Sequence, residues 1–193
     1  MQDQAALQAE KKRIRGQILS LRADQASPGR ARAALSRCLG LLPEGARPVI
    51  GLYAGFGDEL DPVPLVRRLW RAGHEVGLPV VVGKGRPLVF RRFGPEVRYV
   101  LSNYGIREPG PDTPEVLPDI VFAPLVGVDR RGVRLGYGGG FYDRTLAAWR
   151  AGGHRPALFG LAFECQLVPR LPRGPFDVLL DGLVTEAAVR RFR

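Results

Sequence analysis

The segment from Arg134 to Asp143, RLGYGGGFYD, constrains this chain more than any other. It places Gly136, Gly138, Gly139 and Gly140 within five residues, after an apolar segment (residues 119–123) and before a helical one (residues 141–150). Glycines admit positive φ and let a backbone approach a ligand closely. Consecutive amide N–H groups in such a turn form an anion cradle, and the N-terminus of the following helix adds partial positive charge. The loop is not a Walker A loop, which needs Gly-Lys-Ser/Thr, and a GxGxxG pattern fails at Phe141. Glycine density alone is equally compatible with a plain turn.

The rest of the chain repeats the strand–loop–helix theme. Residues 5–23 form the first expected helix, with Ile14, Ile18 and Leu21 at helical spacing. Ser27-Pro28 reads as an N-cap and first-turn proline, opening a helix that runs to Leu42. A buried strand is expected over 48–53. Asp61-Pro62 then opens a helix carrying Leu65, Leu69 and Trp70, which Gly73 closes. Strands follow at 75–82 and 87–93, and a proline- and glycine-rich loop at 94–118. Further strands are expected at 119–123, 157–163 and 178–184. Such alternation predicts a three-layer α/β/α sandwich with a mainly parallel sheet, folded as one domain over residues 1–193.

Composition narrows the function. The 193 residues carry 29 Lys+Arg against 19 Asp+Glu, a net charge of +10 that favours polyanionic ligands. The basic residues are nearly all Arg and are dispersed along the chain, which argues against a nucleic-acid partner. No apolar run reaches the ~20 residues that span a bilayer, and no secretory signal opens the chain, so a cytoplasmic protein without membrane attachment is expected. Cys38 and Cys165 are expected as reduced thiols. His74 and His154 sit in turn contexts and carry no expected chemistry.

The longer string PLVGVDRRGVRLGYGGGFYDRTL (residues 124–146) resembles the signature of the 5-formyltetrahydrofolate cyclo-ligase family, PLVAFDxxGxRLGYGGGYYDR. The likeness extends over nearly the whole chain. Lys11 to Arg15 resembles the family's opening K-x-x-L-R helix, Tyr104 to Pro109 its YGIxEP segment, and Asp177 to Asp181 the end of its HDxxxD pattern. The resemblance implies ATP-dependent conversion of 5-formyltetrahydrofolate to 5,10-methenyltetrahydrofolate with release of ADP and phosphate; the Arg excess predicts higher affinity for polyglutamylated folates, and a monomer is expected.

The resemblance also implies roles. Lys11, Arg15, Arg134 and the loop Gly136, Tyr137, Gly138, Gly139, Gly140, Phe141 and Tyr142 would hold ATP. A planar guanidinium and fixed backbone donors suit phosphate oxygens. Asp143 and Asp181 would bind Mg²⁺, a hard cation that takes a few carboxylates together with phosphates. Glu59 would pair with the pterin edge of the folate, with Phe56 and Tyr104 against its rings. No single residue is picked out as catalytic. The chain departs from the family pattern at Gly174, where an acid is usual, and at Phe176, where histidine is usual. These departures leave open a related ATP- and folate-binding protein with weak or altered activity.

Overall fold

The computed structural model describes residues 2–101, 105 and 107–192; Tyr104 lies outside them. Two helices come first, α1 (Gln2–Gln25) and α2 (Pro28–Leu39). Ser27 Oγ accepts the Arg30 amide at 3.3 Å and Pro28 opens the first turn of α2, as the sequence suggests. The helix ends at Leu39 rather than Leu42, with the Gly40 amide closing onto Arg37 and Cys38 carbonyls.

The chain then runs through β1 (Ile50–Gly51), α3 (Val63–Arg71), β2 (Val76–Val80), β3 (Val89–Arg92), β4 (Tyr99–Leu101), β5 (Arg107–Pro109), β6 (Ile120–Ala123), β7 (Gly127–Asp129) and β8 (Arg134–Leu135). It continues with α4 (Phe141–Ala151), β9 (Ala157–Leu161), β10 (Leu167–Val168), β11 (Gly182–Val184) and β12 (Val189–Arg191). Seven strands form one sheet in the order β12-β11-β9-β6-β1-β2-β3. The inner five are parallel, and β3 and β12 close the edges antiparallel.

Alternation along β6 shows how the layers form. Ile120 and Phe122 face α2 and α3, where they pack with Leu35, Cys38, Leu65 and Leu69. Val121 and Ala123 face the other way, into a cluster with Leu146 of α4, Leu125 and Leu158. A strand apolar on both faces is what a parallel sheet covered on both sides requires. The result is the three-layer α/β/α arrangement expected. Burial pushes the Cys38 thiol up to about 12, and both cysteines are free.

Three features differ from the sequence reading. The segment 94–118 is not structureless: β4 and β5 pair antiparallel, Tyr99 opposite Pro109. A small second sheet, β10-β7-β8, leads into the glycine loop through β8. Helix α1 packs on it through Ile18, against Val126, Val133, Leu135 and Leu171. The approach is so close that a Cβ on Gly127 would lie 2.5 Å from Ile18 Cδ1. Finally, the inward stripe of α1 is Lys11, Ile18 and Arg22, all buried, whereas Leu21 is 47% exposed. Cations occupy positions that an apolar periodicity assigns to hydrophobes. No helix among the described residues is long and apolar enough to cross a membrane.

Candidate active site

The connection after β1 leads through α3 to β2, while the connection after β6 leads through α4 to β9, on the opposite side. Adjacent strands β1 and β6 therefore form a topological switch point, and ligands of open α/β sheets bind outside the carboxyl ends of strands at such a point. A cavity of about 1480 Å³ opens there. Its walls are the segment after β1, the glycine loop, the first turns of α4, residues 173–179, and the N-terminal half of α1 laid across them.

The glycine loop forms one wall. Gly138 and Gly140 take φ of +102° and +66°, conformations that L-residues with a Cβ avoid. Gly140 caps α4, so the loop amides meet the positive end of that helix at the cavity. A Cβ at Gly138 would point toward the Arg15 guanidinium, 3.6 Å away. Arg15 Nε in turn donates to the Gly136 carbonyl at 2.9 Å. Arg134 enters from β8, almost fully buried. One of its terminal nitrogens donates to Asp143 Oδ1 at 3.1 Å and its guanidinium lies 5.4 Å from the Tyr142 ring centre. Its Nε has no hydrogen-bond partner among the described residues. Lys11 completes the cationic set, its Nζ 2.5 Å from Asp177 Oδ2.

The second wall carries the acid expected for the pterin. Glu59 is partly buried and accepts the Phe56 amide at 2.9 Å. Burial pushes its carboxyl above the usual range, although the Phe56 amide, the Tyr137 hydroxyl and the Arg22 charge pull it back. Burial and the neighbouring Glu59 push the Tyr137 hydroxyl up to about 12. Phe56 is exposed at the rim. Thus Lys11, Arg15, Phe56, Glu59, Arg134, Asp143 and every residue from Gly136 to Tyr142 line one cavity. Tyr104, expected against the folate rings, lies outside the described residues.

Asp181, expected beside Asp143 at the metal, does not line this cavity. Only residues 182–184 of the expected 178–184 strand pair with β9, so Asp181 sits at the entry of β11 rather than late in a strand. Its Oδ2 accepts the Leu158 amide at 2.7 Å and its own amide donates to the Leu158 carbonyl at 2.8 Å, so it extends the β9–β11 ladder. It is absent from the cavity lining, which Asp177 joins instead.

Asp177 is an acid of the cavity wall that the sequence alone did not single out. The turn from Gly174 to Asp177 brings it in: Asp177 Oδ2 accepts the Gly174 amide at 2.7 Å. The next amide, that of Val178, donates to Asp143 Oδ1 at 3.2 Å, which sets the two acids on adjoining segments. Both bonds to Asp143 fall on Oδ1, and its Oδ2 accepts none among the described residues. These donors fit a hard divalent cation that also rides on phosphate oxygens. They do not make a free-standing metal cage, since no group of three or more His, Cys, Asp or Glu among the described residues could hold an ion. Where the family has an acid, a Cβ at Gly174 would lie 3.5 Å from Asp177 Oδ2 and 3.7 Å from Lys11 Nζ. Phe176 is 83% exposed at the cavity mouth.

Fold and site together define an α/β protein with a cation-flanked anion cradle at the switch point of its sheet and a carboxylate pocket beside it. The chain belongs to the 5-formyltetrahydrofolate cyclo-ligase family, whose model matches residues 7–186. The 5-formyltetrahydrofolate cyclo-ligase of Escherichia coli is 41% identical over 146 residues, 72% of this chain and 79% of that protein. That of Haemophilus influenzae is 36% identical over 189 residues, 95% of this chain and 98% of that protein. The solved structure of Aquifex aeolicus 5,10-methenyltetrahydrofolate synthetase superposes with a TM-score of 0.78 at 31% identity, covering 95% of this chain and 93% of that one. The chain is accordingly an enzyme, a ligase of folate metabolism.

Proposed function

We propose that this cavity binds ATP along the glycine loop and 5-formyltetrahydrofolate against Glu59, and closes the folate ring to 5,10-methenyltetrahydrofolate with release of ADP and phosphate. The observation that carries the reading is the convergence of Lys11, Arg15, Arg134 and the Gly136–Gly140 amides on one wall, with Glu59 on the other. Two ligands need two chemistries, and the cavity supplies both.

The formyl oxygen of an amide is a poor leaving group, and phosphorylation makes it a good one. In the first step that oxygen forms a bond to the γ-phosphorus as the bond to the ADP oxygen breaks. In the second, N10 attacks the formyl carbon, the carbon–oxygen bond breaks, phosphate leaves with that oxygen, and N10 loses its proton. Arg134, Arg15 and Lys11 hold the triphosphate oxygens and offset the charge that builds on them. Glu59 fixes the pterin so that the formyl oxygen faces the cradle, a positioning effect that replaces a bimolecular encounter. Asp143 and Asp177 would hold Mg²⁺, which supplies charge neutralisation to the phosphates when bound.

In the same reading residues 1–193 act as one domain, a cytoplasmic monomer that takes polyglutamylated folates and has no nucleic-acid partner. The dispersed Arg excess supports preference for longer, more anionic tails, weakening as salt screens exposed charges over ~8 Å at physiological ionic strength. An equilibrium titration tests the ATP assignment. ATP with Mg²⁺ should bind and raise the unfolding temperature. Absence of binding at millimolar ATP with Mg²⁺ contradicts it.

A further inference from the structure

Helix α1 touches both halves of the cavity, and its last buried cation does not line it. Arg22 is 2% exposed. One terminal nitrogen donates to Asp58 Oδ1 at 2.5 Å and to the Tyr137 hydroxyl at 2.9 Å. Asp58 precedes Glu59, the acid on the folate wall; Tyr137 stands between Gly136 and Gly138, inside the nucleotide wall. A single buried nitrogen thus holds the 55–59 loop and the glycine loop together. The other two guanidinium nitrogens are buried without partners among the described residues. The two hydrogen bonds and the Tyr137 ring, 5.9 Å away, are therefore the contacts that hold the group. An uncompensated buried charge is costly. Displacing either loop removes half of the compensation, so the two loops are not independent. The Arg22 hydrogen bond also holds the Asp58 carboxyl below its usual range.

We infer that Arg22 is a positioning residue that couples the two ligand regions, so that filling one strengthens binding at the other. The inference rests on the proposed function, in which one loop meets folate and the other ATP. Coupling between sites is reciprocal: whatever factor folate adds to ATP affinity, ATP adds to folate affinity.

The test measures the dissociation constant of an ATP analogue with a non-hydrolysable γ-linkage, in Mg²⁺, with and without saturating 5-formyltetrahydrofolate. The native chain should show tightening of about fivefold or more, the lower end of ordinary coupling. Asp58→Ala removes one partner of the bridge, and Arg22→Lys leaves a charge that cannot reach both partners. Each should cut the tightening to about twofold or less while each ligand alone still binds. Should Arg22→Lys not fold, Asp58→Ala carries the test, because it leaves the buried guanidinium and its bond to Tyr137 in place. A merely structural Arg22 would lower the unfolding temperature in both variants and leave the tightening at its native value, which overturns the inference. So does a native chain that binds both ligands without tightening. Failure of the native chain to bind either ligand alone sinks the reading of the cavity, and this inference with it.

Discussion

Lys11 on α1 and Asp177 in the loop before β11 form an ion pair with Nζ 2.5 Å from Oδ2, across 166 positions of sequence. Both side chains are largely buried, so the pair is weakly screened and fixes the N-terminal helix over the cavity. It also places a cation beside the glycine loop and an acid beside Asp143.

If Lys11 binds phosphate, Lys11→Met removes a charge-assisted bond worth about 1.5–3 kcal/mol. The KM for ATP should rise roughly 10- to 100-fold, with the KM for folate changed far less. Steady-state kinetics with each substrate varied checks this. A fall in unfolding temperature with KM for ATP unchanged shows a structural pair only.

The acids separate by the same logic. Asp143→Asn and Asp177→Asn keep shape and remove a charge facing the cavity. Turnover should fall by about 10²-fold or more, and raised Mg²⁺ should partly restore it in Asp143→Asn. Asp181→Asn should turn over normally and lose about 1 kcal/mol of stability or less, the value of one hydrogen bond in a ladder. Equal loss of turnover in Asp181→Asn would return that residue to the site.

Much of this was legible in the sequence, and the failures are instructive. The glycine loop, its following helix and the parallel strands declare themselves through local chemistry: positive φ, a helix start, runs apolar on both faces. Asp177 and Asp181 cannot be told apart that way. Residues 178–184 look like one strand, and only the turn at Gly174–Asp177 and pairing with β9 decide which acid faces the cavity. Arg22 was hidden because an apolar periodicity reads Leu21 as the inward residue. The inward position is filled by a cation whose partners, Asp58 and Tyr137, lie 36 and 115 positions away. The β4–β5 hairpin was masked by the prolines and glycines around it.

Glu59 makes a pH prediction. Burial raises its carboxyl above the unfolded value of about 4.3. Its ionised form is therefore disfavoured by folding: stability is greatest when it is protonated and is lost as pH rises through the folded value. Glu59→Gln keeps an acceptor for the Phe56 amide and removes that cost. Near neutral pH the variant should melt at the same temperature or higher, yet raise the KM for folate about tenfold or more with little change for ATP. Thermal melts and folate-varied kinetics on the same preparation decide it; an unchanged KM for folate removes Glu59 from the pterin.

Asp129 has the opposite sign. It is 0% exposed and accepts the amides of Arg131, Val133 and Leu171 and the Arg131 guanidinium, which together shape the β7–β8 turn ahead of the cradle. Burial alone would raise its carboxyl, but those hydrogen bonds hold it below the usual range. Its contribution should be complete above the unfolded value of about 3.9 and be lost as pH falls through the folded value. Asp129→Asn should cost about 2–4 kcal/mol at neutral pH and flatten the acid limb of the stability profile. Denaturant unfolding between acid and neutral pH measures both; an Asn variant as stable as the native chain at neutral pH contradicts the assignment.

The most direct measurement is the reaction itself, followed by the near-ultraviolet absorbance of the methenyl product. With ATP, Mg²⁺ and 5-formyltetrahydrofolate all present, that absorbance should grow, with one ADP and one phosphate released per product, and it should vanish when any one is withheld. Gly174 and Phe176 depart from the family pattern at the mouth of the same cavity, so the assay tests the chain where it differs from its relatives as well as where it agrees. A chain that binds Mg²⁺ and ATP yet forms no methenyl product at high enzyme concentration would contradict the account.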